Sequence, residues 1–175
     1  MKLLTALGIS IGVLAAVLII LEYLLSLTGV VPFGIASWAG FVAWACYFAA
    51  GGKPEGMFKV WAANASGAIV AVLIVLLMMA LSFLGNPISL AVAVLVGAFV
   101  LVVQANWKVL SFIPGAFCGC AVAFGWGVGI DILPLIACIL SMMIGAFFGY
   151  LSDLWGNAMA KKEPEAAAEA PPAEE

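Results

Sequence analysis

Within the first 155 residues of this chain, Glu22 is the only ionisable side chain that falls clearly inside an apolar run; the other charges sit between runs or at their ends. A long apolar run without charge is stable in the hydrocarbon core of a bilayer, which about 20 helical residues cross. Composition agrees. The 175 residues are 67% hydrophobic and 9% charged, with a mean hydropathy of +1.29, which no soluble domain of this size shows. The expected fold class is therefore an all-α integral membrane protein, with six spans and short turns in residues 1–155 and no separate soluble domain.

The turns set the boundaries. Lys2 precedes an apolar run over residues 3–27, too long for the core of a signal peptide and without a small-residue cleavage motif, so it reads as a retained first helix. Its Gly8 and Gly12 have the spacing of a close helix contact. Residues 29–34, with Pro32, form a turn, and 33–50 a short second span. Residues 51–56 act as a breaker, and a third span covers 58–84. In Gly85-Asn86-Pro87, Asn86 is expected to cap the fourth helix and Pro87 to take its first position; this helix runs to Gln104. Residues 104–108 make the next turn and 110–129 the fifth span. Asp131 starts a sixth span that continues to Leu154. Residues 156–175 read as a disordered acidic tail with nothing to bury. All six lysines (Lys2, Lys53, Lys59, Lys108, Lys161, Lys162) then fall on one side, so the positive-inside rule places both termini in the cytoplasm.

Two segments repeat one pattern. Residues 110–129 carry glycines at 115, 119, 125, 127 and 129, more than a lipid-facing helix uses, and bare glycine lets another backbone or a solute approach. Residues 37–52 have the same serine-aromatic opening, early glycine, central cysteine and glycine-rich close. Helices 2 and 5 thus read as equivalents in two halves, with Gly40 and Phe41 matching Gly115 and Phe117, and Ser66-Gly67 matching Ile144-Gly145. Three spans per half is an odd number, so the repeat is inverted, and the two short helices are expected to meet near the midplane.

Several classes of chemistry lack their residues. There is no histidine and no arginine, which removes histidine metal sites, serine-histidine catalysis and arginine clamps. Six lysines make a nucleic-acid partner untenable. Cys46, Cys118, Cys120 and Cys138 fall in spans as small polarizable side chains without zinc-site spacing, and no cofactor or metal is implied. No carboxylate pair or nucleophile-base arrangement can be assembled, so an enzyme is not expected. Glu22 reads either as a solute group or as a side chain reaching headgroup water, Asp131 as a helix cap, and Asp153 as solvated at the interface.

At Ser37-Trp38-Ala39-Gly40-Phe41, Tyr47-Phe48-Ala49, Gln104-Ala105, Leu110-Ser111-Phe112-Ile113-Pro114-Gly115 with Phe117 and Gly119, and Phe148-Gly149-Tyr150, the chain resembles the YcdZ-type family of bacterial inner-membrane proteins. The resemblance covers residues 1–155. It implies a compact multi-span protein of the bacterial inner membrane, and supplies no substrate and no catalytic residue. The acidic tail departs from the basic tail of that family, so nothing is carried over to it.

The expected function is a channel or facilitator for a small neutral or weakly charged solute, with its path between helices 2 and 5. Asn64, Ser66, Gln104, Asn106 and Ser111 would line it from the cytoplasmic side and Ser37 from the other, exchanging solute hydration for hydrogen bonds. Gly40, Gly115, Gly119 and the break at Pro114 would leave room. Phe41, Trp44 and Phe48, on one face of helix 2, would form an apolar constriction, and Phe117 of helix 5 would also line the path. Each polar residue has an alternative in interhelical hydrogen bonding, the aromatic stripe in lipid or subunit contact, and Pro114 in an ordinary first helical turn. Besides lipid, the expected partner is a second copy of the chain in a homo-oligomer. The rival reading is a non-transporting scaffold whose tail recruits a cytoplasmic partner.

Overall fold

The computed structural model describes residues 1–29 and 34–160. The expected turn at Pro32 and the acidic tail from Lys161 onward lie outside the described residues. The secondary structure of the described residues is helical: α1 Leu3–Thr28, α2 Ser37–Ala49, α3 Lys53–Ala80, α4 Ile88–Val103, α5 Ile113–Trp126 and α6 Ile132–Met159, with short 3-10 turns between α3 and α5. Four apolar stretches are long enough to cross a membrane: Leu3–Thr28, Lys53–Ala80, Ile88–Asn106 and Ile132–Met159. The other two helices are short. α2 has 13 residues and α5 has 14, so each is about 20 Å long, against a hydrocarbon core of about 30 Å.

Three boundaries differ from the sequence reading, each for a local reason. α3 starts at Lys53 because Pro54 occupies its first turn, where no intrahelical N–H is needed, and the breaker shrinks to Ala50, Gly51 and Gly52. At α4, Pro87 is the cap residue itself, and Asn86 accepts the Ser89 hydroxyl at 3.2 Å. α6 continues through Met159, into residues expected to be tail. The Asn157 amide holds the Asp153 carboxylate at 2.7 Å, and Gly156 packs against Leu7 of α1, so tertiary contact sustains the last turn.

α3 and α6 form the centre, and the other helices divide between them. α2 and α1 pack on α6; α5 and α4 pack on α3. At two of these crossings backbone meets backbone. A methyl added to Gly67 would fall on the Ala116 carbonyl and within 2.8 Å of the Cys120 nitrogen, and one added to Gly119 on the Asn64 carbonyl. A methyl on Gly145 would fall on the backbone of Gly40. Helices this close gain dispersion contact along their whole crossing, which lipid on the same face would not supply as well.

This packing corrects the expected meeting of α2 and α5 through their glycines. Gly40 is covered by Gly145, the Ser141 carbonyl and Leu18, while Gly115 is covered by Phe112 and Ala63. The bare surfaces are spent on α6 and α3 rather than left as a path. α2 and α5 still touch, through the rings of Trp38 and Trp126, whose centroids lie 6.0 Å apart. Gly8 and Gly12 point the other way from expectation, with nothing within 4 Å of a methyl built on either.

Candidate functional site

Nothing on α2 itself caps its first turn: Ala36 is the cap residue and contributes no side-chain hydrogen bond. Helix N-termini leave N–H groups without partners and carry a partial positive charge. Both needs are met from other helices. The Ser37 N–H donates to Glu22 Oε2 of α1 at 2.9 Å, and the Ala36 N–H to Ser141 Oγ of α6 at 3.1 Å. Glu22 is therefore a cap supplied by a neighbouring helix, a role the sequence reading missed; the only local signal was an alanine where a capping side chain is usual. Glu22→Leu should lower the unfolding midpoint by the equivalent of about 1 to 2 kcal/mol, while Glu22→Gln, which keeps an acceptor, should retain most of that stability. Equal midpoints for Glu22→Leu and the parent protein in a detergent melting assay would refute the assignment.

The other end of α2 is tied to α6 by polar groups. Trp44 Nε1 donates to Ser152 Oγ at 3.0 Å, Ser152 donates to the Gly149 carbonyl at 2.7 Å, and Ser10 of α1 donates to the Ser152 carbonyl at 2.8 Å. The Tyr47 hydroxyl donates to Asp153 Oδ2 at 2.8 Å. Trp44, expected in a gate, is thus buried and holds two helices together, and Asp153 serves Tyr47 rather than only the interface. Phe41 and Phe48 are each 38% exposed and line, with Ile11 and Ala45, an outer groove of about 250 Å³. An aromatic stripe in this position is open to lipid.

The remaining expected path residues separate by burial. Ser111 and Pro114 are exposed, Pro114 within the first turn of α5, where it breaks nothing, and Phe117 faces outward at 43% exposure. Ser66 returns its hydroxyl to the Ala63 carbonyl at 2.8 Å. Gln104 is buried and donates to the Leu101 carbonyl at 3.3 Å, beside an apolar groove of about 310 Å³ formed with Phe99, Val100, Val103, Asn106 and Trp107. Ser37, Gly40, Gly115 and Gly119 are buried in helix contacts.

Asn64 stands apart. It lies at the α3/α5 crossing with 1% of its surface exposed, and neither its Oδ1 nor its Nδ2 has a hydrogen-bond partner. Leaving a buried polar group unpaired costs about 1 to 3 kcal/mol, so an amide with both ends unpaired calls for an occupant or a reason.

The family model described as "Protein of unknown function (DUF1097)" matches residues 8–157, a range that reaches all six helices. The chain belongs to this family. It is 35% identical over 133 residues to the Inner membrane protein YcdZ of Salmonella typhimurium, covering 73% of this chain and 78% of that one. To the Inner membrane protein YcdZ of Escherichia coli K12 it is 34% identical over 138 residues, covering 75% and 79%. No solved structure matches the chain significantly. The resemblance carried by the Ser111-Phe112-Ile113-Pro114-Gly115 motif and its companions holds. With several helices of membrane length and relatives named as inner membrane proteins, this is a multi-pass protein of the bacterial inner membrane.

Proposed function

We propose that this protein is a facilitator for a small neutral or weakly charged solute, built from two inverted three-helix halves that give six spans with both termini cytoplasmic. One observation carries the reading: each half lends its short helix to the long helix of the other. α2 lies on α6 while α5 lies on α3, and α1 and α4 follow the same exchange. Two halves related by an axis in the membrane plane interlock in this way, and inverted-repeat carriers hold their solute at the interface between repeats. The lysine distribution supports the orientation, and six spans would require α2 and α5, at 13 and 14 residues, to cross together with residues outside their helices. Because the glycine faces of α2 and α5 are filled, by α6 and α3, the open route between them is given up, and this reading puts the solute contact at the unpaired Asn64 amide beside the closed α3/α5 contact. A second copy of the chain would sit on the face bearing Gly8, Gly12, Phe41 and Phe48.

The rival, a non-transporting scaffold, is favoured by the tightness of the glycine crossings. A flux panel in proteoliposomes over water, glycerol, urea, ammonia and short carboxylates separates the two. The facilitator reading expects at least one solute to cross faster than in empty liposomes, and uniform impermeability would leave the scaffold. Gly40→Leu does not serve as a pore-blocking variant, since its side chain would meet the α6 backbone and Leu18 before any solute.

A further inference from the structure

We infer that Asn64 is the group that holds the solute inside the bundle, and that this solute is a small uncharged molecule carrying both a hydrogen-bond donor and an acceptor. The inference rests on the facilitator reading and deepens it. Asn64 offers two N–H donors and a carbonyl acceptor, and all of this capacity is unused although the side chain is buried.

The register of the two halves shows that packing alone does not require the amide. Gly67 of α3 is the residue pressed against α5, and Gly145 of α6 is the residue pressed against α2. Three positions before each glycine stand Asn64 and Met142, and both are 1% exposed. The same place in the other half is thus filled by an apolar side chain. An asparagine where methionine suffices, with neither end of its amide bonded, is a polar group kept for something that arrives.

The surroundings narrow what that is. The crossing is lined by Ala63, Ala116, Gly119 and Cys120, none of which carries a charge. Glu22 is engaged at the N-terminus of α2, and Asp153 by Tyr47 and Asn157. A single neutral amide supplies too few oxygen ligands to replace the hydration of an ion, whereas it can match a molecule that carries both N–H or O–H and C=O groups. The two backbones are in contact here, so anything larger than a few heavy atoms would force the helices apart. Urea and acetamide fit this description; acetate and potassium do not.

The full chain in proteoliposomes tests this with urea, acetamide, acetate and potassium as probes, together with the melting midpoint in detergent. The parent protein should pass urea or acetamide at least 10-fold faster than acetate or potassium. Asn64→Met, which gives this place the side chain that Met142 supplies in the other half, should lose that flux at least 10-fold while its midpoint rises by a few degrees, because the unpaired amide is gone. Should Asn64→Met fail to fold, Asn64→Ala carries the flux comparison, normalised to folded protein. Flux that persists in the variant overturns the inference and leaves the facilitator reading standing. So does a midpoint that falls with flux declining only in step with folded protein, which makes the amide structural, or faster passage of acetate or potassium than of the amides. A parent protein that passes nothing overturns the facilitator reading and this inference with it.

Discussion

Gly67→Ala should be among the most damaging single-methyl changes in the protein, lowering the unfolding midpoint far more than the same change at Gly12. The added carbon at Gly67 falls on the Ala116 carbonyl with the Cys120 nitrogen 2.8 Å away, and these are backbone atoms of α5 that no rotamer change can move. The helices must part, which loses dispersion along the whole crossing. Overpacking typically costs about 1 to 3 kcal/mol where side chains can yield, so a cost of about 3 kcal/mol or more is expected here. Gly145→Ala should behave alike, since its methyl would fall on the Gly40 backbone. Within one copy, Gly12→Ala meets nothing within 4 Å, so in the detergent-separated monomer it should be neutral or stabilising by up to about 1 kcal/mol through helix propensity. Melting curves by fluorescence-detected gel filtration rank these variants, and Gly67→Ala melting with Gly12→Ala would mean the crossing is looser than described.

Ser152→Val should be the next most costly. Its hydroxyl receives the Trp44 indole N–H at 3.0 Å and donates to Gly149, and Trp44 is 4% exposed, so valine leaves a buried donor with no partner. That costs about 1 to 3 kcal/mol. Ser152→Thr keeps the hydroxyl and should lie close to the parent. In the Ser152→Val background, Trp44→Phe removes the stranded donor, so the double variant should lose less than the sum of the two single changes. Additive losses would mean the indole draws its stability from packing alone, and the hydrogen bond would have to be discarded as a reason for its burial.

The helices around α6 and those around α3 are joined by different contacts. Around α6 a tryptophan, two serines and a tyrosine-aspartate pair join α2 and α1 to the core, whereas around α3 the α4 contact is apolar, with Gly97 against Ile74 and Val70. Polar ties of this kind are worth about 0.6 kcal/mol each on average within membranes. They act in sum, and they favour the α2/α6 side as the stiffer one.

Much of the scaffold could be read before any coordinates. The runs that became α1, α3, α4 and α6 announced themselves by length and lack of charge, and the motif around Pro114 carried the family. Gly40, Gly115 and Gly119 were recognised as places of close approach, but not what would approach them. Glu22 and Asp153 were recognised as exceptional, without their partners Ser37 and Tyr47. Asn64 was one polar residue among several, and only its lack of a partner set it apart.

That division has a physical cause. A bilayer leaves no water to satisfy a backbone, so an apolar stretch of sufficient length must close its own hydrogen bonds as a helix, and the apolar runs therefore determined that the chain is helical and lives in a membrane. Which helix lies on which is another matter, because lipid tails are as apolar as the side chains they would replace and burial by itself selects no partner. The choice fell to the fit of Gly67 against Ala116 and Gly145 against Gly40, and to single bonds such as Glu22 to Ser37, all between residues far apart in the chain, so only the tertiary structure decided it.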